Sequence, residues 1–428
     1  MAGLDTQPTV LIIGTCDTKC EELVYLRDRI RERNHCKTIL IDVGRNACEH
    51  EAIDVTNDTL LRLNEPGLLP SDPLPPLPLA RAEYIRIMAK GAISYVAEMF
   101  RHLRIHGIVS IGGSSGTSLS STVMREALPV GFPKLIVSTM ASGDVKPFIE
   151  DTDITMMYSV VDIAGVNSIL NRILKNAASA IDGMTVSYHD SIMNPPKEPR
   201  KKRVAVTMFG VTTKCVDAIR LHLESQYHYE VYVFHATGAG GKTMERLIRE
   251  RKIDAVIDVT TTEIADEVVG GVLTAGPNRL TAASQQGIPQ VVCTGACDLV
   301  NFGPKGTIPA AFADREAYEH NPAVSLIRTT PEECQKIGDF IANKLRTHVC
   351  QPDLVEVMLP EGGISSLSTP GEIFHNPKAD SVLFSAIEKG LQGTGINVTR
   401  YPGPINSMDF AVKMADTLGA MLKRMNPT

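Results

Sequence analysis

Two periodicities alternate along this chain, and no other feature limits its fold as tightly. Short, nearly continuous apolar runs, VLII (10–13), KTILIDV (37–43), GIVSI (107–111) and KLIVST (134–139), are separated by longer stretches. In the first of those, 21–33, Leu23, Leu26 and Ile30 fall on one helical stripe. A strand without polar alternation is buried on both faces, and such strands joined by helices form a parallel sheet covered on both sides. The same spacing predicts helices over 82–103 and 117–128. The segment LNEPGLLPSDPLPPLPLA (63–80) carries too much proline for a helix or a central strand and reads as an extended surface insertion.

At NPPKEPRKKR (194–203) proline clusters with five cations and no aromatic residue, which reads as a solvated linker rather than a nucleic-acid patch. The alternation then restarts: RVAVTMFG (203–210), a helix over 215–224, YEVYVFHA (229–236), a helix over 243–251 and DAVIDV (254–259). Two domains are expected, residues 1–193 and 204–428. They echo each other in order. IIGTCDTKCEEL (12–23) answers TMFGVTTKCVDAI (207–219), and GFPKLIVSTMASGD (131–144) answers GIPQVVCTGACD (287–298). The predicted class is therefore α/β, two doubly wound parallel-sheet domains, and the echoes suggest duplication. Ligands of such sheets bind at the carboxyl ends of the strands, often at a domain interface.

Composition removes several functional classes. The net charge of −6 gives no global basic field for a nucleic-acid backbone, so no nucleic-acid partner is expected. No apolar run reaches the roughly 20 residues that span a bilayer, and the first residues lack a basic leader, so neither membrane insertion nor secretion is expected. Nine cysteines, several inside strand-like runs, point to reduced thiols in a cytoplasmic chain. Cys16 and Cys20, like Cys293 and Cys297, lack partner histidines at zinc spacing, and no metal site is expected. The stripe Phe410, Met414, Leu418, Met421 and Leu422 fits either a core helix or a dimer seam.

Chemistry should lie in the strand-end loops. GGSSGTS (112–118) joins a strand to a helix, where unpaired first-turn amides and the helix dipole favour an anion. Gly112, Gly113 and Gly116 let the backbone come close, and Ser114, Ser115, Thr117 and Ser118 add hydroxyls. The same run satisfies G-x-S-x-G, the pattern of a nucleophilic serine at Ser114. Its partners would be Asp162 with His189, or Asp298 with His375. Gly14, Thr15, Asp17 and Lys19 form a second strand-end loop, in which Lys19 neutralises phosphate while Asp17 meets a ribose or magnesium, or simply starts a helix. Ser142 and Gly143 end a third strand, with Asp144 another candidate for magnesium. HATGAGGKT (235–243) misses the phosphate-loop pattern at Ala236, yet Gly238, Gly240, Gly241 and Lys242 remain a candidate anion loop.

Together, IGTCDTK (13–19), IGGSSGTS (111–118), STMASGD (138–144), SVVDIAGVNSIL (159–170) and PEGGISSLSTPGEIFHNPKAD (360–380) resemble one family. It comprises the ATP-binding, virus-inhibiting N-terminal region of the tomato mosaic virus resistance protein and its bacterial and fungal relatives. The likeness runs in order over about residues 10–424. It implies two Rossmann-like subdomains, nucleotide binding and a homodimer or higher homo-oligomer. Cys16 and Ser115 depart from the small residues expected there, without blocking a nucleotide, and the virus-inhibiting activity does not carry over. The resulting expectation is a cytosolic ATP-binding protein whose first domain holds ATP, with magnesium, through the loops at 14–19, 112–118 and 142–143. A small acidic metabolite would meet the second domain's loops at the domain interface. The competing readings are a serine-dependent hydrolase using Ser114 and a non-catalytic, ligand-gated binding protein.

Overall fold

The computed structural model describes residues 7–64, 80–195 and 200–425. The chain divides into two compact units, Met1–Glu198 and Pro199–Thr428. Most of the proline-rich insertion and the middle of the linker, 65–79 and 196–199, lie outside the described residues.

The first unit opens with β1 (Thr9–Gly14), α1 (Cys16–Arg31), β2 (Lys37–Asp42), α2 (Asn57–Arg62) and α3 (Arg81–Arg101). It continues through β3 (Gly107–Gly112), α4 (Ser114–Ala127), β4 (Lys134–Ser138), α5 (Lys146–Ile149), β5 (Thr155–Tyr158) and α6 (Ser168–Met193). The strands form one parallel sheet in the order β2-β1-β3-β4-β5. Every residue of β1, β3 and β4 is buried, as the unbroken apolar runs require. One core forms against α3 and α4, including Leu11, Ile13, Ile108 and Met88. The other forms against α1 and α6, including Val10, Ile12, Leu23 and Leu174. Asn167 starts α6 by accepting the amides of Ile169 and Leu170 at 3.1 and 3.0 Å.

The second unit begins with β6 (Arg203–Met208), α7 (Thr213–Gln226), β7 (Glu230–His235), α8 (Ala239–Arg249), β8 (Ala255–Thr260) and α9 (Thr262–Val269). Then come α10 (Ala282–Gln286), β9 (Gln290–Gly295), β10 (Leu299–Phe302), β11 (Ala317–Asn321) and β12 (Val324–Arg328). It ends with α11 (Pro331–His348), β13 (Val355–Pro360), α12 (Pro377–Leu391), β14 (Asn397–Tyr401) and α13 (Met408–Met425). Six strands form a parallel sheet, β14-β13-β9-β8-β6-β7. Its first four strands in chain order take the same places as those of the first unit: the second strand outside the first, then the third and the fourth.

Two outcomes differ from or settle the sequence reading. A small antiparallel sheet, β10-β12-β11, interrupts the alternation after β9. Its strands are short and only half apolar, so the run-length signal passes over them. The C-terminal stripe is core: Phe410, Met414 and Leu418 of α13 are buried in the cluster that includes Val206, Ile219 and Ile257. Those side chains are therefore not a dimer seam.

Candidate functional site

In the first sheet the chain leaves β1 for β2 on one side, and β3 lies on the other, so the direction of winding reverses between β1 and β3. The loops leaving such neighbours at their carboxyl ends diverge and open a crevice. One of about 450 Å³ lies there. Thr15 after β1 and Asp17, Thr18 and Lys19 at the start of α1 line one side, and the start of α4 supplies Gly113, Ser114, Ser115 and Gly116. Val43, Arg45 and Asn46 come from the loop after β2, and Arg81, Tyr84 and Ile85 from α3.

The two helix starts at this crevice differ. At α1 the carboxylate of Asp42 accepts the amides of Cys16 and Gly44 at 2.9 and 2.7 Å. That terminus already holds an anion of the protein's own. Asp17 in turn accepts the amides of Arg45 and Asn46 at 3.0 and 3.1 Å, fixing the loop after β2. At α4 the cap is Gly113, with no side chain to offer, and the amides of Ser114, Ser115 and Gly116 have no acceptor among the described residues. A β-carbon added at Gly116 would meet nothing closer than the Ile111 carbonyl at 3.9 Å, so the space over this terminus is open. Three cations, Lys19, Arg45 and Arg81, line the crevice against one carboxylate, Asp17. Lys19 is partly committed, donating to the Ile163 carbonyl at 2.5 Å. The Arg45 guanidinium lies 5.9 Å from the Tyr84 ring centre. Arg81 has no side-chain partner among the described residues.

Burial raises the Asp42 carboxyl above its usual range, opposed by the Gly44 and Cys16 amides that hold it. Burial also raises the Tyr84 phenol, helped by the charges of Asp42 and Asp17; the hydroxyl stays protonated and donates to the Gly44 carbonyl. The neighbouring thiol of Cys20 is pushed up to about 11, by burial first and by its hydrogen bond with Cys48 second. Cys16 is raised further, again by burial. Neither is a thiolate at neutral pH, so neither is a ready nucleophile.

Six of the expected site residues do not line this crevice. Gly14 and Gly112 are packing glycines: their missing β-carbons would fall 2.6 Å from Leu23 and 3.1 Å from the Gly116 α-carbon. Thr117 is buried and shares a 2.6 Å hydrogen bond with Ser138. The carbonyl of Ser118 accepts the hydroxyls of Ser121 and Thr122 within the helix. Ser142 and Gly143 close their own turn onto the carbonyls of Thr139 and Met140. Asp144 likewise accepts the Lys146 amide and stays outside the crevice. Arg45 was findable from sequence, because it too follows a strand. Arg81 and Tyr84 start a helix remote in sequence, and no local signal marks them.

Within the first unit no serine triad assembles at Ser114. No histidine lines the crevice at Ser114. His189 stacks edge-on against His106, which precedes the amino end of β3, while Ser114 follows its carboxyl end. Six residues of strand, about 20 Å, separate those ends. Asp162 caps its neighbour, the Ile163 amide. In the second unit Asp298 accepts the Ser365 hydroxyl and His375 meets the Ser368 carbonyl. Among the described residues no group of three or more His, Cys, Asp or Glu side chains is placed to hold a metal ion, all nine cysteines are free, and no helix is long and apolar enough to cross a membrane.

In the second unit a buried ion cluster ties the third strand, β8, to α8 and α9. Arg279, 1% exposed, forms two bonds with Asp258 at 2.7 and 2.9 Å and one with Glu263 at 2.7 Å, and Glu245 lies 3.6 Å away. The same Glu263 accepts the amides of Gly238 and Gly241 at 2.7 and 3.0 Å. The glycine loop expected to bind an anion therefore already holds one. Gly241 is required there, since a β-carbon would lie 2.0 Å from the Glu263 carboxylate. Burial raises the carboxyls of Glu245 and Glu263, and Arg279 opposes the rise.

Comparison with known proteins gives a consistent picture. The profile of the uncharacterised protein family (UPF0261) N-terminal domain matches residues 8–190, and that of its C-terminal domain matches 201–422. A UPF0261 protein of Clostridium tetani is 43% identical over 421 residues, covering 97% of this chain and 99% of that protein. The ToMV resistance protein Tm-1 of Solanum lycopersicum is 38% identical and is covered over only 55% of its length. The tomato ToMV susceptible protein matches equally well, at 38%, so the likeness does not follow resistance. Among solved structures, Acinetobacter baumannii MurG aligns over 67% of this chain and 79% of its own, at 10% identity and a TM-score of 0.22. A likeness that weak adds nothing to the fold described above.

Proposed function

The chain belongs to the UPF0261 family, and from that premise we propose that it is a cytosolic ATP-binding protein whose first unit seats the nucleotide. The observation that carries this reading is the α4 terminus. Three consecutive amides without acceptors among the described residues open onto a crevice at the winding reversal, with cations outnumbering carboxylates around it. Such a terminus favours a phosphate over a neutral ligand, because its amides and the helix dipole both point at the anion. The γ- and β-phosphates rest on Ser114, Ser115 and Gly116, and Arg81 and Lys19 offset the remaining charge. Val43, Ile85 and Leu119 give the base an apolar wall. Magnesium arrives on the triphosphate, since Asp17 is already committed to two amides and no multidentate cluster stands by among the described residues.

Equilibrium dialysis of the full chain with ATP tests the reading, followed by assay for ADP or AMP. Retention without turnover supports a ligand-gated binding protein, and release of ADP or AMP supports an enzyme. No retention of ATP overturns the proposal. Arg81→Gln should weaken ATP by about tenfold, the size of one charge-assisted hydrogen bond.

A further inference from the structure

The second unit has a crevice of its own that the nucleotide reading does not use. It measures about 620 Å³ and is lined by the loop after β6, the start of α7 and the loops that follow β13 and β14. Its walls are braced from behind. Asn406 accepts the Cys215 amide at 3.2 Å and donates to the Val211 carbonyl at 3.0 Å, and the Ser366 amide donates to that carbonyl at 3.0 Å.

The hydroxyls of residues 365–369 divide by direction. Ser365 and Ser368 are fully buried. Ser365 donates to Asp298 at 2.7 Å, and Ser368 accepts the amides of Ile364 and Ser365 at 2.9 and 3.0 Å. Ser366 and Thr369 line the crevice, and their hydroxyls have no partner among the described residues. Lys214 and Glu372 line it as well. They form no ion pair with each other or with any other described residue. A rigid backing with unengaged polar groups on its open side is the arrangement a ligand site needs.

We infer that this crevice binds a small hydroxylated carboxylate. Its carboxylate pairs with Lys214. Its hydroxyls donate to Glu372, which can only accept, and exchange hydrogen bonds with Ser366 and Thr369, which can do both. Glu372 also sets the charge limit. A triphosphate or phosphate dianion facing one cation and one carboxylate is repelled, whereas a monoanion rich in hydroxyls is matched.

Titration calorimetry on the full chain tests this with D-glycerate, L-threonate and D-gluconate as probes, against sorbitol (hydroxyls only) and butyrate (carboxylate only). At least one of the three acids should bind about tenfold tighter than either control. Lys214→Met should cost that acid at least about tenfold, and Glu372→Gln several-fold, while both variants keep the thermal midpoint and the ATP response of the parent. Both side chains are exposed, so loss of fold is not expected to cloud the result. The inference is overturned if none of the acids binds, if a control binds equally well, or if affinity survives both substitutions.

Discussion

The two parallel sheets share the placement of their first four strands, yet a glycine-rich helix start is open in the first unit and another is closed in the second. In the first unit the amides of the helix following the third strand face a crevice. In the second, Arg279 draws three carboxylates around itself, and one of them, Glu263, occupies the amides of the glycine loop that follows the second strand. Topology thus creates a place where an anion is welcome and does not say whose anion it is. A carboxylate from the chain turns the place into structure. Its absence leaves the place for a ligand.

Substitutions can move either unit toward the other. Arg279→Met should have the largest effect. It strands Asp258, Glu263 and Glu245 in the interior and should cost about 3–5 kcal/mol, read as a fall in the urea midpoint. An unchanged midpoint would show that the ion cluster contributes no stability. Gly116→Asp should make the open terminus resemble the closed one. The added β-carbon meets nothing closer than 3.9 Å, and the carboxylate should reduce ATP affinity about a hundredfold by dialysis, with the fold intact. Full ATP binding in that variant would place the nucleotide elsewhere.

The reverse change, Glu263→Ala, vacates the seat in the second unit and should cost about 2 kcal/mol. Added inorganic phosphate should then restore part of the lost thermal stability, and should leave the parent protein unaffected. The smallest effect is expected of Ser114→Ala, a change in ATP affinity of less than about threefold, because the seat is made of amides. If instead an esterase activity of the parent disappeared in this variant, the serine reading would displace the anion seat.

Particular residues show where sequence reasoning reached its limit. The Gly/Ser run at Ser114, Ser115 and Gly116 marks a helix start after a buried strand, and the sequence left it open between an anion seat and a nucleophilic serine. Gly14 and Gly112 carry the same letter for another reason, close approach of Leu23 and of α4, which no neighbour in sequence reveals. The glycines at 238 and 241 also look like an anion loop and are one. Their anion stands 22 or more residues later at Glu263, and its only announcement is a Glu inside an ordinary helix. Arg81 and Tyr84 enter the crevice through the packing of α3, far from the motifs that define its floor.

By itself the sequence determined the two parallel sheets, the helices over their faces and the strand-end loops where polar groups gather. Those follow from local periodicity and from the need to bury unbroken apolar strands on both sides. Only the tertiary structure decided which of those loops remain open. Whether a buried amide is met by a distant carboxylate or left for a ligand depends on contacts between segments far apart in the chain, and local composition carries no record of them.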